Sequence, residues 1–255
     1  MFIFSKKNSK AIQQRSEKMD ISPTNIEIQN NFDSIMRFSS SVLDEAKDFK
    51  ESKNDLNEET EHPLIDVVRL VGRQLQSQYL ANLLYQRDES LMPNLHPEEV
   101  LFDPLARITK EGTNFQDVMR ELKTEYVISL SRDLVLPWSW KKSRLITCIA
   151  LIGKGRRLGQ WRQDDNNHHV ELWLPMGIAW VNGGNHSISA GIIQGKGEII
   201  PEFVYDIKNV YDYVFCDGVN YYRKEDGSII SPVMNAEFAA IFEIGRMMTD
   251  HSISY

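Results

Sequence analysis

Apolar residues recur at helical spacing through the first half of the chain. This spacing predicts one helix over residues 28–49 and a longer one from Pro63 to about Arg87. Pro63 suits the first turn of a helix, where its missing N–H is not needed. Shorter helices are expected near residues 97–100 and 115–122. The apolar positions of the two longer helices are Phe32, Ile35, Met36, Val42, Leu43, Ala46 and Phe49, then Ile65, Val68, Leu75, Tyr79 and Leu83.

Two polar stretches separate these helices from the rest of the chain. Residues 1–27 are rich in Ser, Lys, Gln and Asn with weak periodicity, which predicts a flexible N-terminal arm. Residues 50–61 are almost wholly charged or polar and predict a solvated linker.

The period changes from helical to alternating at Tyr126. Strands are expected over residues 126–130, 134–136, 170–174, 178–181, 199–205, 210–215, 220–223 and 228–230. Pro175-Met176-Gly177 and Asp226-Gly227 are turn signals between pairs of these strands. Residues 145–151 are apolar, and periodicity leaves them open between a helix and a buried strand. A last helix is expected after Ser231-Pro232.

These patterns predict an α+β protein. A helical region over 28–124 precedes an α+β domain over 125–255, which has a small mixed sheet and a C-terminal helix. The 42% hydrophobic content is enough for a real core, and no apolar run reaches the length of a membrane span.

Charge and cysteine content bear on the binding partners and the cellular compartment of the protein. A net charge of −7 argues against broad, non-specific binding to nucleic acid but leaves a local basic site open. Two cysteines without zinc-type spacing favour a reduced, cytoplasmic compartment. The apolar start, Met1 to Phe4, is too short for a signal peptide.

One stretch, Trp180 to Gly191, carries the most specific chemistry. It predicts a strand, a turn at Gly183-Gly184 and a short helix that ends at Gly195. A helix start offers free N–H groups and partial positive charge, which suit a phosphate. Asn185 or Ser187 is expected to cap the helix, and His186 supplies a group that titrates near neutral pH. The alternative is a turn whose polar residues only cap.

A second candidate is the basic, glycine-rich loop over residues 153–159. Lys154, Arg156 and Arg157 would offset phosphate charge if this loop faces the glycine corner, and otherwise form a solvated turn. His168-His169 favours a polar loop over a metal site, because neighbouring side chains point apart. The five tryptophans favour packing over base stacking. The cofactor stays open between a nucleotide and a divalent metal.

The corner resembles a known superfamily. Residues 180–204, with Gly183, Gly184, His186, Ala190 and Gly195 in order, are similar to the GNHR-type core of the ParB/sulfiredoxin-like superfamily. The same GNHS string suggests kinship with an uncharacterised bacterial branch. The resemblance implies a corner that binds the phosphates of CTP or ATP, and some relatives are described as nucleases. The family commonly has a phosphate-contacting Arg where this chain has Ser187. The catalytic Cys of sulfiredoxin is absent here, so that activity is not implied.

Three functions follow from these observations. The first is a nuclease or nucleotide hydrolase, with Asn185, His186 and Ser187 catalytic and His186 acting as general acid and base. Gly183, Gly184 and the three basic loop residues would then hold phosphate. The second is a regulator that binds nucleotide or nucleic acid without catalysis. The third is an interaction protein that forms homo-oligomers through its N-terminal helices.

Overall fold

The computed structural model describes residues 25–52, 61–92 and 94–255, with the side chains of the first helix described through residue 46. The predicted arm lies outside the described residues except for 25–27, which are helical. The predicted linker also lies largely outside them, since 53–60 are not described.

The two long N-terminal helices form as the apolar spacing predicts. Helix α1 is Asn25–Ser52 and helix α2 is Pro63–Tyr85. The cap of α2 is His62, whose side chain accepts the N–H of Leu64, so the proline indeed stands at the first helical position. Single turns of helix follow at α3, Pro97–Val100, and α4, Phe115–Val118, with a 3-10 turn at Glu89–Leu91 before them.

The strands form one mixed sheet and two small ones. The strands are β1 Arg120–Glu121, β2 Ile128–Ser129, β3 Leu134–Leu136, β4 Val170–Leu174, β5 Ile178–Val181, β6 Glu198–Ile199, β7 Phe203–Asp206, β8 Val214–Cys216, β9 Asn220–Arg223 and β10 Ile229–Pro232. The five-stranded sheet has the order β1-β7-β4-β5-β3, with β3–β5 and β4–β7 parallel. The antiparallel pair β4–β5 is the hairpin predicted at Pro175 to Gly177, and β9–β10 is the one predicted at Asp226-Gly227.

Three more helices, α5 to α7, follow in the second half of the chain. The first settles whether residues 145–151 are helix or strand, and the last begins later than the sequence predicts. The open stretch 145–151 is helical, within α5, Lys142–Leu151. Helix α6 is Asn185–Gln194. Helix α7, Ala236–Asp250, begins later than predicted, because Ser231 and Pro232 pair with β9 and the cap is Asn235. Of the strand predicted over 210–215, residues 210–212 belong to a 3-10 helix, Lys208–Asp212, and β8 begins at Val214.

The five-stranded sheet separates two hydrophobic clusters. The larger lies on the face of Trp173 and Trp180, where α2 and α7 also contribute. The smaller lies on the opposite face, where Leu172 and Val181 contact Ile188 of α6. Fully burying a large apolar side chain contributes about 2 kcal/mol, so the larger cluster carries most of the burial energy.

The predicted helical region is joined to the rest of the protein by this larger cluster. Leu64 and Leu75 of α2 share it with Phe238 and Phe242 of α7, all of them at most 1% exposed. The region 28–124 and the region 125–255 therefore build one core rather than two. Among the described residues, no helix has the length and apolar content needed to cross a bilayer.

Candidate functional site

The glycine corner has the strand, turn and helix order that the sequence predicts. Strand β5 ends at Val181, Gly184 is left-handed at φ +75°, and α6 runs from Asn185 to Gln194 with the left-handed Gly195 as its C-cap. The capping prediction is wrong in one respect. Gly184 is the N-cap, and no side chain caps the helix.

Both glycines make room for the chain itself. A Cβ on Gly183 would lie 2.6 Å from Cδ2 of His169, and one on Gly184 would lie 2.3 Å from Cδ2 of His168. The carbonyl oxygen of Asn167 is also within 3.0 Å of both positions. The segment 167–169 thus packs directly against the turn. This packing is possible only because both turn residues lack a side chain.

The start of α6 opens into a cleft of about 460 Å³. The backbone N–H groups of Asn185, His186 and Ser187 donate to no acceptor among the described residues, whereas Ile188 N–H bonds to the Gly184 carbonyl. Free amides and the helix dipole make this end of α6 attractive to an anion. The cleft is lined by Trp140, Ser143, Arg144, Thr147, Cys148, Asn167, Gly184, Asn185, His186 and Ser187.

The cation of this cleft comes from α5. Arg144 stands beside Trp140, with its guanidinium carbon 5.7 Å from the ring centroid. Arg144 and Cys148 are spaced four residues apart in α5, so the helix presents them on one side, and Trp140 lies just before the N-cap Lys141. The lining contains no Asp or Glu. Sequence reasoning missed Arg144 because residues 145–151 were not assigned to a helix, and the four-residue spacing was the signal available.

Asn185 and Ser189 hold the segment 138–140 against α6. Asn185 Oδ1 accepts the N–H of Trp138 at 2.8 Å. Ser139 Oγ lies 2.9 Å from Ser189 Oγ, and Ser189 Oγ donates to the Asn185 carbonyl at 2.7 Å. The side-chain oxygen of Asn185, a residue predicted to be catalytic, therefore positions Trp138.

His186 is buried at the wall of the cleft. Its Nε2 accepts the N–H of Lys141 at 3.2 Å, and its ring meets Trp140 edge-on with centroids 4.6 Å apart. Burial, with a smaller contribution from the positive charge of Arg144, lowers the pKa of His186 to about 4. The ring is thus neutral near pH 7. Because Nε2 accepts, its proton is assigned to Nδ1, which bonds to no described residue.

Ser187 is tied to a second buried histidine. The Asp164 N–H donates to His168 Nδ1 at 2.9 Å, which places the proton of the neutral ring on Nε2. His168 Nε2 then donates to Ser187 Oγ at 2.7 Å, and Ser187 Oγ donates to the Gly184 carbonyl at 2.9 Å. Burial lowers the pKa of His168, in keeping with the neutral form.

Trp161 also contacts Ser187, through the backbone carbonyl of that residue. Its ring stacks on His168 with centroids 5.0 Å apart, and its Nε1 donates to the Ser187 carbonyl at 2.7 Å. The loop between α5 and β4 thereby fixes the first turn of α6. No sequence pattern pointed to these contacts, because they join residues 19 and 26 positions apart.

The predicted basic loop is not part of the cleft lining. Arg156 folds back on α5, where Nη1 donates to the carbonyls of Ile149 and Ile152. It therefore satisfies carbonyl groups at the end of that helix. Lys154 and Arg157 are exposed, and neither they nor Gly183 line the cleft. Gly184, Asn185, His186 and Ser187 are the predicted site residues that the structure brings together there.

His168 and His169 point to different partners, as expected for neighbouring side chains. His169 Nδ1 lies 3.0 Å from Glu202 Oε2, whereas His168 faces Ser187. Within the ranges that the structure describes, no three His, Cys, Asp or Glu side chains are grouped to hold a metal ion. Cys148 and Cys216 are free thiols, the second of them buried.

Fold and cleft together define an α+β protein with an anion-attracting helix start. The chain belongs to DUF6710, a family of unknown function whose model matches residues 6–255. No curated protein and no solved structure matches the chain. The resemblance to the ParB/sulfiredoxin-like superfamily stays a prediction.

Proposed function

We propose that the cleft at the start of α6 binds the phosphate of a nucleotide, and that the protein is a nucleotide-binding regulator. One observation carries this proposal. Asn185, His186 and Ser187, with their unbonded amides, line the same cleft as Arg144, and the lining contains no carboxylate. Amides and a guanidinium are the groups that proteins use most for phosphate oxygens.

Trp140 gives the cleft a surface for the base. It is exposed, it lies beside Arg144, and its edge contact with His186 fixes its orientation. Stacking of a base on an aromatic ring contributes about 1–3 kcal/mol and tolerates any base. A nucleotide would then hold its phosphate at the amides and its base against the indole.

The geometry favours binding over hydrolysis. A general base near neutral pH needs a pKa close to the working pH and a free lone pair. His186 has a pKa of about 4, and its Nε2 already accepts the Lys141 N–H. The hydroxyl proton of Ser187 is donated to the Gly184 carbonyl, so no neighbouring base activates it. Hydrolysis of phosphoesters remains the alternative that the experiment below also tests.

The decisive experiment compares two arginines by calorimetric titration with nucleoside mono-, di- and triphosphates. Arg144→Ala removes the cation of the cleft, and Arg157→Ala removes an exposed cation of the basic loop. Losing one charge-assisted contact weakens binding about tenfold or more. We expect that loss for Arg144→Ala alone. Equal binding by wild type and Arg144→Ala, or loss only in Arg157→Ala, would refute the proposal.

Cys148 offers an independent readout on the unmodified protein. It is half-buried in the cleft lining, whereas Cys216 is buried elsewhere. Bound nucleotide should slow the reaction of Cys148 with a thiol reagent. Release of inorganic phosphate during the same incubation would show hydrolysis and favour the enzymatic alternative.

Two further predictions complete the proposal. A cytoplasmic setting fits the free thiols. Self-association through the N-terminal helices fits the exposed Leu70 and Leu84 of α2. Light scattering over a range of concentrations tests it, and a monomer throughout would contradict it.

A further inference from the structure

A second cavity, of about 860 Å³, lies on the opposite face of the five-stranded sheet from α6. Its aromatic wall is Trp173 of β4 and Tyr205 of β7, which are partners across the two parallel strands. Trp173 belongs to the larger hydrophobic cluster, and α6 contacts the smaller one. The cavity is therefore separate from the cleft that holds Arg144.

Glu171 occupies an unusual position in this cavity. It lies in β4, the middle strand of the sheet, on the face of Trp173 two residues away and opposite Trp180 of β5. Its Oε1 accepts the indole N–H of Trp173 at 3.1 Å, and the side chain of Asn182 is its second hydrogen-bond partner. Among the described residues, no Lys or Arg lies within ion-pair distance of its carboxylate.

A carboxylate at such a position costs free energy unless a cation or several donors compensate it. The indole of Trp173 needs an acceptor here, but a neutral side chain would serve as well, and two neutral donors offset the charge of the carboxylate only in part. Burial raises the pKa of Glu171, and the negative charge of Glu98 raises it further. A partly buried carboxylate that lines a cavity and has no cationic partner among the described residues is typical of a ligand site.

Three more carboxylates reach the same cavity from different elements. Glu98 is in α3, Asp103 follows it, and Glu121 is in β1. The lining contains no Lys or Arg to offset them. The pKa of Tyr205 is also raised, first by burial and then by the charges of Glu171, Glu121 and Glu202. The electrostatic field of the cavity is therefore negative along its length.

We propose that this cavity binds an elongated organic cation that carries two or more ammonium groups. One ammonium group lies at Glu171 against Trp173 and Tyr205, where the carboxylate and the aromatic faces both attract it. The others lie towards Glu98 and Glu121. A single metal ion fits less well, because no three of these side chains are grouped closely enough to ligate it.

The test is calorimetric titration of the full chain with spermidine near neutral pH and at low salt. Glu171→Gln keeps the shape of the side chain and removes its charge. Glu198→Gln, at an exposed position of β6 outside the cavity, is the matched control. Loss of one charge-assisted contact should weaken spermidine binding about tenfold or more in Glu171→Gln. The control should bind as wild type does.

Glu98→Gln provides a second variant at the cavity rim if Glu171→Gln fails to fold, and we expect weaker spermidine binding there as well. Three outcomes would overturn the proposal: no binding of spermidine, wild-type affinity in both cavity variants, or equal affinity for a neutral diol of the same length. Displacement of spermidine by equimolar Mg²⁺ would also overturn it, since that result indicates a diffuse acidic surface.

Discussion

His168 Nε2 lies 2.7 Å from Ser187 Oγ, although the two residues are 19 positions apart. A Ser and His pair at this distance suggests an activated nucleophile. The hydrogen bonds run the other way, because the Asp164 N–H occupies Nδ1 and makes His168 the donor. The pair therefore positions Ser187 and the first turn of α6 rather than activating the hydroxyl.

Removing the Ser187 hydroxyl should destabilise the protein. Ser187→Ala leaves the buried Nε2–H of His168 without an acceptor, which costs about 1–3 kcal/mol in free energy of unfolding. Urea denaturation measures the change. Ser143→Ala, at an exposed position of α5, is the control and should stay within about 0.5 kcal/mol of wild type. Equal stability of the two variants would contradict the hydrogen-bond chain described here.

Gly184 should tolerate alanine much less well than Gly155. Both have nearly the same backbone angle, φ +75° and φ +76°, so both variants carry the strain of a left-handed residue. Only at Gly184 does the new Cβ meet other atoms, 2.3 Å from His168 Cδ2. Overpacking typically costs about 1–3 kcal/mol, which should appear as extra destabilisation of Gly184→Ala in urea. A similar loss in both variants would mean that segment 167–169 does not rest on the turn.

The buried state of His186 predicts a stability change with pH. Its pKa is about 4 when folded and near 6.5 when unfolded, so the unfolded chain takes up the proton first. The contribution of neutral His186 to the free energy of unfolding is complete above pH 6.5 and declines as the pH falls towards 4. Wild type should therefore lose stability relative to His186→Asn across this interval, as measured by urea denaturation at each pH. A difference that does not change with pH would show that His186 titrates normally.

Glu171→Gln should stabilise the ligand-free protein, on the order of 1 kcal/mol near neutral pH, because it removes a partly buried charge that has no cationic partner among the described residues. The folded pKa of Glu171 is raised above its ordinary value of 4.5. The folded wild type therefore becomes less stable as the pH rises through the raised pKa, because the carboxyl group then ionises. The advantage of the variant should be absent below pH 4.5 and appear above it. Thermal unfolding of both proteins over this range provides the measurement. A destabilised variant would indicate that the Trp173 hydrogen bond outweighs the cost of burying the charge.

The sequence by itself determined the features that depend on neighbouring residues. The α+β class, the helix that begins at Pro63, the two hairpins and the strand-to-helix turn at Gly183-Gly184 all follow from local spacing and turn chemistry. A helix buries every third or fourth residue and a strand every second, so these patterns are visible in the sequence. Resemblance to the ParB/sulfiredoxin-like superfamily rests on the same turn and stays a prediction.

Only the tertiary structure decided which side chains meet. Charge pattern alone pointed to Lys154, Arg156 and Arg157, but Arg156 is used at the end of α5 and Arg144 lines the cleft. Helical regions that looked separate from the sheet share a core with α7. His168, Trp161 and Glu171 gain their surroundings from residues far away in the sequence. Such contacts depend on how elements pack in three dimensions, which the periodicity of one segment does not encode.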